Sequence, residues 1–259
     1  MTMGAYVRVH GREAAVWSGG LGLLTVQVLR NLALPPGYWR LVAREIDAIG
    51  VRSLAVAVTA AVFTGMVLAL QAAVNMERFG AENYVGAVVA LSILRELGPV
   101  LTAILVGGKV ASGITAELGA MKETEQIDAL RAIGVNYIQK LIVPRFLAAL
   151  LVFPLLTVLA DAIGLVGGMV IAVWERHVDP YVYWNNMLYW VVLRDFLTGL
   201  GKSFFFAGIV TLIGCYNGLS TMGGTEGLGR ATTGTVVQVT MAVIIADFFL
   251  TKLFLSLFW

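Results

Sequence analysis

Long apolar segments constrain this chain more than any other feature of its sequence. Four of them, in chain order, are residues 51–76, 84–114, 146–174 and 233–259. Each is long enough to cross a bilayer as a helix, which takes roughly 20 mostly apolar residues. A weaker fifth segment covers 181–217, and its first half is rich in Tyr and Trp, as is typical of a membrane interface. We interpret it as one long helix whose spanning part is 187–217. The sequence therefore predicts an all-α integral membrane protein with about five transmembrane helices.

The composition agrees with a membrane protein and excludes other classes. Of the 259 residues, 59% are hydrophobic and only 13% are charged, about half the charged share of a soluble domain. The net charge of +2, without a basic run, argues against a nucleic-acid partner. The single cysteine, Cys215, allows no intrachain disulfide, and the two histidines lie far apart without neighbouring metal ligands. We predict no metal and no cofactor.

The sequence also lacks the motifs of an enzyme. Gly108-Lys109 is followed by Val110 inside an apolar segment, so no phosphate-binding loop is present. We find no His, Asp and Ser, and no paired carboxylates, at catalytic spacing. We therefore expect one membrane-embedded domain over residues 1–259, without an ATPase site of its own.

The first 36 residues are amphipathic rather than continuously apolar. Charged residues such as Arg8 and Arg30 alternate with Val, Leu and Trp, which favours a helix lying in the membrane interface. The stretch free of charge, 14–29, is shorter than a usual span, and a sixth transmembrane helix is the alternative. Pro35 and Pro36 are expected to stop the helix.

The positions of Lys and Arg predict the orientation in the membrane. The arm before the first span holds Arg8, Arg12, Arg30, Arg40 and Arg44, and the segment after the second span holds Lys122, Arg131, Lys140 and Arg145. By contrast, the connections 77–83 and 175–180 each hold a single Arg. Because cytoplasmic loops are enriched in Lys and Arg, we place the N-terminus and residues 117–145 in the cytoplasm. Five spans then place the C-terminus on the opposite side.

The polar segment 117–134, between the second and third spans, predicts a short helix. Thr124 is a good N-cap, and Gly134 is placed to end the helix. Its apolar residues form one stripe, at Ile127, Leu130 and Ile133. Such a helix can dock into a groove on a cytoplasmic partner, or its stripe can rest on the membrane surface. The residues alone leave these alternatives open.

Charges inside the second span are the other signal of function. Arg95 and Glu96 lie at membrane depth, where charged side chains usually face a bundle interior or a wet cavity. Adjacent residues point about 100° apart on a helix, so at least one of the two needs a partner from another helix. Pro99 allows a kink beside them. We interpret both as candidates for a translocation path, and a purely structural ion pair is the alternative.

Further features concern packing between the spans. Additional charges in or near them are Asp161, Asp195, Lys202, Asp247 and Lys252. The lysines can snorkel to an interface, and the acids can pair with other helices. Small residues four apart, at Gly164/Gly168 and Gly214/Gly218, permit close helix approach. We expect them to pack helices within the chain, with a homodimer face as the alternative.

Several blocks of the sequence resemble the MlaE/YrbE family of permeases. They are LRELGPVL (94–101), AELGAMKETEQIDALRAIG (116–134), Pro144-Arg145, DFLTGLGKSFFF (195–206), GCYNG (214–218) and GGTEGLGRATT (223–233). The resemblance covers roughly residues 40–255, and residues 1–34 match only in character.

This resemblance implies the permease subunit of an ABC transporter in the bacterial inner membrane. Permeases of this family act as homodimers with a separate cytoplasmic ATPase and a periplasmic MCE-domain lipid-binding protein. They move phospholipid between the inner and outer membranes of Gram-negative bacteria. The dimer is expected to enclose a cavity for acyl chains, and the ATPase to bind the short coupling helix within 117–134.

Two sets of candidate functional residues follow. Substrate-path candidates are Gln71, Asn75, Arg95, Glu96 and Lys202. Candidates for coupling to the ATPase are Glu117, Lys122, Glu125, Ile127, Asp128, Leu130 and Arg131. Two other classes compete with this reading. One is an ion-coupled secondary transporter with Arg95 and Glu96 as a relay, although no inverted repeat is visible. The other is a membrane scaffold that transports nothing.

Overall fold

The structure, a computed structural model, describes residues 3–32 and 38–258, with side chains from residue 15 onward. Within these ranges the helices are α1 (Met3–Arg30), α2 (Trp39–Ile49), α3 (Leu54–Glu77), α4 (Glu82–Glu123), α5 (Gln126–Ala132), α6 (Ile138–Trp174), α7 (Pro180–Trp190), α8 (Leu193–Ser220) and α9 (Gly224–Phe258). The described residues form no strand, and the all-α prediction is confirmed. Pro35 and Pro36, predicted to stop the first helix, lie outside the described residues.

Five helices in the described part of the chain are long and apolar enough to cross a membrane, as predicted. They are α2 together with α3 (Trp39–Glu77), α4, α6, α8 and α9. Several extend beyond the apolar segments of the sequence, because helix continues into polar residues at the bundle's ends. Thus α4 continues to Glu123, and α9 already starts at Gly224.

The aromatic stretch before the fourth span is a separate helix, α7. Asp179 starts this helix by accepting hydrogen bonds from two backbone N–H groups of its first turn. Val191 and Val192 are extended, and Asp195 in the first turn of α8 accepts the Val192 N–H at 2.9 Å. The prediction of one long helix over 181–217 is therefore wrong. Two β-branched residues followed by an acid that bonds back to the backbone favour a new helix start.

α4 is irregular where the sequence places its charges. Two π-helical turns, Ile93–Leu97 and Thr102–Val106, lie on either side of Pro99, which has no N–H to donate. A π turn adds a residue to the helix and often marks a functional site. It therefore changes the direction in which Arg95 and Glu96 project; the kink expected beside Pro99 stays a prediction.

Glycines let the spans approach closely. A Cβ on Gly65 of α3 would lie 1.9 Å from the carbonyl oxygen of Gly164 in α6, and Gly168 also faces α3. Gly214 and Gly218 of α8 pack against the backbone of α4. The predicted small-residue pairs thus pack helices within the chain, which is confirmed.

α1 packs across one end of the bundle. Trp17 Nε1 donates a hydrogen bond to Asn217 Oδ1 in the last turns of α8 (3.1 Å), and Asn31 Oδ1 accepts one from Asn136 before α6 (2.8 Å). Between these contacts, Val28 is fully buried in the core. Asn217 and Asn136 both lie at the end of the bundle where α4 ends and α6 begins. This end also carries α5, and we call it the α5 end. Because both contacts lie at one end, they favour an interfacial helix over a sixth span; the interfacial position stays a prediction.

α9 is the span with the least intramolecular cover. Only 11% of the residues in its most apolar stretch are buried, against 56% in that of α6. Apolar side chains such as Met241, Ile245 and Phe249 point away from the bundle and are more than half exposed. In a membrane, such a face contacts lipid or another subunit.

Candidate functional site

Two ion pairs join α4 to α8 within the spanning segments. Arg95 pairs with Asp195, and Glu96 pairs with Lys202. Adjacent residues of α4 therefore find separate partners on a second helix. The prediction that they cannot simply neutralise each other is confirmed.

The Arg95–Asp195 pair holds the start of α8 against α4. Arg95 Nη2 and Nε both lie 2.7 Å from Asp195 Oδ1. The other oxygen, Oδ2, accepts the Val192 N–H, and the Asp195 side chain is fully buried. A buried carboxylate with this many donors stays where it is, because moving it would leave its charge unpaired. The pair therefore fixes the junction between α7 and α8.

A second set of residues, which we call the Lys202 cluster, consists of Lys202, Glu96, Asp247 and Thr251. The Lys202 side chain is completely buried. Its Nζ bonds Glu96, lies 2.9 Å from Asp247 Oδ1 and donates to Thr251 Oγ1 at 2.7 Å. Lys202 therefore has two hydrogen-bond acceptors, Glu96 and Thr251, and a second carboxylate at ion-pair distance. The expectation that Lys202 can snorkel to an interface is wrong, because α9 supplies it with an acid and a hydroxyl inside the bundle.

The Lys202 cluster opens on one side into a groove of about 600 Å³. The groove is lined by Glu96, Ile244, Asp247, Phe248, Thr251, Lys252 and Leu255. The Glu96 side chain is 40% exposed and that of Asp247 22%, whereas Lys202 lies behind them. Lys252 is exposed at the groove, which agrees with a snorkelling lysine. The groove therefore combines charges of both signs with apolar walls.

The structure separates the five substrate-path candidates. Gln71 and Asn75 are exposed on α3. Within the described residues, neither belongs to the Arg95–Asp195 pair or to the Lys202 cluster. Sequence reasoning noted Asp195 and Asp247 only as charges that could pair, and it missed Thr251 altogether. The available signal was spacing, because Asp247 and Thr251 are four residues apart and share one face of α9.

At the α5 end, a buried arginine joins three helices. Arg145 of α6 is 3% exposed; its Nη2 lies 2.8 Å from Glu117 Oε2 of α4, and its Nε lies 3.3 Å from Glu45 Oε1 of α2. A groove of about 810 Å³ borders this trio. Its other charged lining residues are Arg44, Asp47, Arg52 and Lys140. Glu117, a predicted coupling residue, thus takes part in the ion pairs that tie α2, α4 and α6 together.

The short helix predicted in 117–134 is present as α5, but it starts differently. Thr124 closes α4 by donating from Oγ1 to the Ala120 carbonyl at 2.8 Å, and left-handed Glu125 (φ 58°) precedes α5. The prediction of Thr124 as N-cap is therefore wrong, because its hydroxyl bonds the preceding helix. The predicted end is confirmed: Gly134 has φ 76°, and its N–H donates to the Arg131 carbonyl.

The apolar stripe of α5 is split between the interior and the surface. Ile127 is only 2% exposed, Leu130 is half-buried and Ile133 is 73% exposed. Ile127 therefore packs inside this chain and offers nothing to a partner. The exposed surface carries Ile133 and the Asp128–Arg131 ion pair (3.1 Å). Of the other coupling candidates, Glu125 is exposed and Lys122 is half-buried.

Comparison with known proteins shows the family. Residues 42–253 match the family described as Permease MlaE. The chain belongs to the MlaE permease family. The intermembrane phospholipid transport system permease protein MlaE of Haemophilus influenzae is 41% identical over 219 residues, 83% of each chain. A probable ABC transporter permease protein of Rickettsia typhi is 36% identical over 244 residues, 94% of each chain. Protein TRIGALACTOSYLDIACYLGLYCEROL 1, chloroplastic, of Arabidopsis thaliana is 31% identical over 240 residues, 92% of this chain and 69% of that protein.

Family membership confirms the resemblance read from the sequence blocks. This MlaE-family permease is a multi-pass membrane protein, with five apolar helices in its described part. All members of the Lys202 cluster lie within the matched range 42–253. The residues that join α4, α8 and α9 thus belong to the part of the chain that the family shares.

Proposed function

We propose that this chain is the membrane-spanning permease subunit of an ABC transporter that moves phospholipid between the inner and outer membranes, driven by a separate ATPase. The observation that carries the proposal is the Lys202 cluster, a set of buried and half-buried charges that opens into an apolar groove. Membership of the MlaE family and the name of the Haemophilus influenzae relative support phospholipid as the cargo.

The chemistry of the groove suits a lipid with a charged headgroup. Glu96 and Asp247 present carboxylate oxygens to it, and Lys252 presents an ammonium group. Ile244 and Phe248 line the same groove with apolar surface, which acyl chains can contact. Charges at membrane depth usually face such a path and not the lipid tails. Glu96 and Lys202 keep their roles as substrate-path candidates, whereas Arg95 acts through its tie to Asp195.

The second part of the proposal is that the α5 end receives the ATPase. α5 exposes the Asp128–Arg131 pair at this end, and Ile133 directly after it is exposed as well; the groove around Arg145 lies at the same end of the bundle. Because Arg145 ties α2, α4 and α6 together, a push at this end is transmitted along α4 to Glu96. In this proposal the α5 end and the N-terminus lie in the cytoplasm, which the distribution of Lys and Arg supports, and the partner hydrolyses ATP.

A homodimer completes the proposal. The exposed face of α9 lies beside the open side of the Lys202 cluster. A second copy packed against this face closes the groove into a shared cavity for acyl chains. The MCE-domain protein then sits at the end opposite α5 and takes up or delivers the lipid. The ion-coupled carrier considered from the sequence is not favoured, because the relative in Rickettsia typhi is named a probable ABC transporter permease protein.

A pull-down tests the proposal. The tagged protein is purified gently from its native membrane, and co-purifying proteins and lipids are identified. We expect an ATPase with a phosphate-binding loop, an MCE-domain protein and bound phospholipid. A lone protein without lipid, unaffected by ATP, would overturn the proposal.

The same pull-down tests the docking surface. Ile133→Asp is expected to lower recovery of the ATPase by about tenfold, since it replaces the exposed apolar residue of the proposed docking surface with a charge. The control is Phe79→Asp, an equally drastic change at an 80% exposed residue at the opposite end. Ile127→Asp is unsuitable, because a charge there would disturb the fold itself. Undiminished recovery with Ile133→Asp would exclude this part of α5 as the docking surface.

A further inference from the structure

Asp161 is a buried acid that the proposed transport path does not use. It lies in the middle of α6 and is 4% exposed. No N–H or O–H group of the described residues donates to its Oδ1. The charged groups that α4 and α8 bring into this part of the bundle are engaged elsewhere, Arg95 with Asp195 and Lys202 with Glu96. An oxygen without a donor is not acting as an acceptor.

The Asp161 carboxyl lies directly against the backbone of α4. A Cβ added to Gly98 would be 1.7 Å from Asp161 Oδ1 and 3.1 Å from the Ile93 carbonyl oxygen. Both oxygens therefore face the same point, at the end of the π turn Ile93–Leu97. Only glycine at position 98 lets the carboxyl come this close.

The surroundings favour the neutral form of the acid. An ionised carboxylate buried without a cation or a donor is costly at membrane depth. A protonated carboxyl carries an O–H and can donate instead. Backbone carbonyl oxygens of α4 are available as acceptors. The Ile93 carbonyl accepts the Gly98 N–H and keeps a second lone pair, while Pro99 contributes no N–H to the carbonyls of the turn.

We propose that Asp161 is a positioning residue: a neutral carboxylic acid that donates a hydrogen bond to a backbone carbonyl of the π turn Ile93–Leu97. The bond holds the wide turn in place and thereby sets the direction in which Arg95 and Glu96 project toward α8. Asp161 acts through α4 and touches no lipid. Its effect on transport rests on the proposed function, whereas its protonation does not.

Infrared difference spectroscopy tests the protonation directly. The full-length protein and its Asp161→Asn variant are purified in lipid nanodiscs at neutral pH, and their spectra are subtracted. We expect the carbonyl stretch of a protonated carboxylic acid in the wild-type protein and its loss in the variant. Carboxylate bands in the difference spectrum would overturn the proposal. Because no transport is measured, this result is independent of the proposed function.

Transport of phospholipid by the intact complex tests the positioning role. Asp161→Asn keeps a donor of similar shape and is expected to transport at the wild-type rate. Asp161→Leu loses the donor and is expected to transport roughly threefold to tenfold more slowly, the factor that corresponds to one typical hydrogen bond. The control Thr157→Val removes a buried hydroxyl one turn away whose Oγ1 has no partner among the described residues, so no loss is expected.

Each outcome of the transport assay separates the two proposals. Equal rates for Asp161→Leu and Asp161→Asn would overturn the positioning role while leaving the proposed function intact. A wild-type complex that moves no lipid with ATP would overturn the proposed function, and the infrared result would still decide the state of Asp161. Should Asp161→Leu fail to fold, Asp161→Ala takes its place in the transport assay with the same expected loss, and the infrared comparison of wild type and Asp161→Asn still decides the protonation.

Discussion

Replacing Lys202 with methionine should destabilise the protein more than any other single lysine change in the described spans. Methionine keeps the length of the side chain but removes the charge that holds Glu96, Asp247 and Thr251 together. Removing one partner of a buried ion pair costs about 3–5 kcal/mol, because the other charge is left unpaired. Glu96 is 40% exposed and can turn toward the groove, which places our expectation at the lower end, about 3 kcal/mol.

Thermal or chemical unfolding of the purified protein, followed by tryptophan fluorescence, measures this loss. Lys252→Met is the stability control, because Lys252 is exposed on the same helix as Asp247 and should change stability by no more than about 0.5 kcal/mol. The double variant Lys202→Met/Asp247→Asn removes one unpaired acid as well and should recover about 1 kcal/mol or more. If Lys202→Met is as stable as Lys252→Met, the reasoning about the buried cluster is wrong.

Two further predictions concern packing. Gly65→Ala should destabilise the protein by about 1–3 kcal/mol, because its Cβ would lie 1.9 Å from the Gly164 carbonyl oxygen. The control Gly113→Ala, whose Cβ would meet nothing within 4 Å, should be neutral or slightly stabilising. Equal melting temperatures for the two variants would contradict this prediction. Trp17→Ala removes the hydrogen bond to Asn217 that attaches α1 to α8, and should make the first 30 residues several-fold more sensitive to protease without unfolding the bundle; unchanged cleavage would show that α1 is held by other contacts.

Much of the fold could be predicted because a membrane leaves a chain few choices. A long apolar segment must satisfy its own backbone groups, so it spans as a helix. The positions where one helix ends and the next begins were harder to predict. Val191 and Val192 are apolar and fit a spanning helix by hydropathy, and only the bond from the Val192 N–H to Asp195 shows why a new helix starts there. The prediction of Thr124 as an N-cap was wrong for a similar reason, since a threonine hydroxyl can hydrogen-bond the helix before it as well as the helix after it.

The candidate site could be predicted only in part. The cost of burying charge pointed to Arg95 and Glu96 and to partners on another helix. The identity of those partners depends on helix rotation, which two π turns in α4 alter in a way that no periodicity reveals. Lys202 has a long flexible chain that reaches an interface or a buried acid equally well, so its burial depended on what α9 placed beside it. Gln71 and Asn75 looked promising because they were polar in an apolar span, yet they lie outside both ion networks.

The most direct test of the central claim is transfer of a labelled phospholipid by the purified complex between nanodiscs or vesicles, with and without ATP. The account predicts that transfer requires ATP hydrolysis by the co-purified ATPase and falls sharply when Lys202 is replaced by methionine, with the complex still assembled. Transfer that is independent of ATP, or that is unaffected by loss of Lys202 in an assembled complex, would contradict the assignment of the Lys202 cluster to the lipid path.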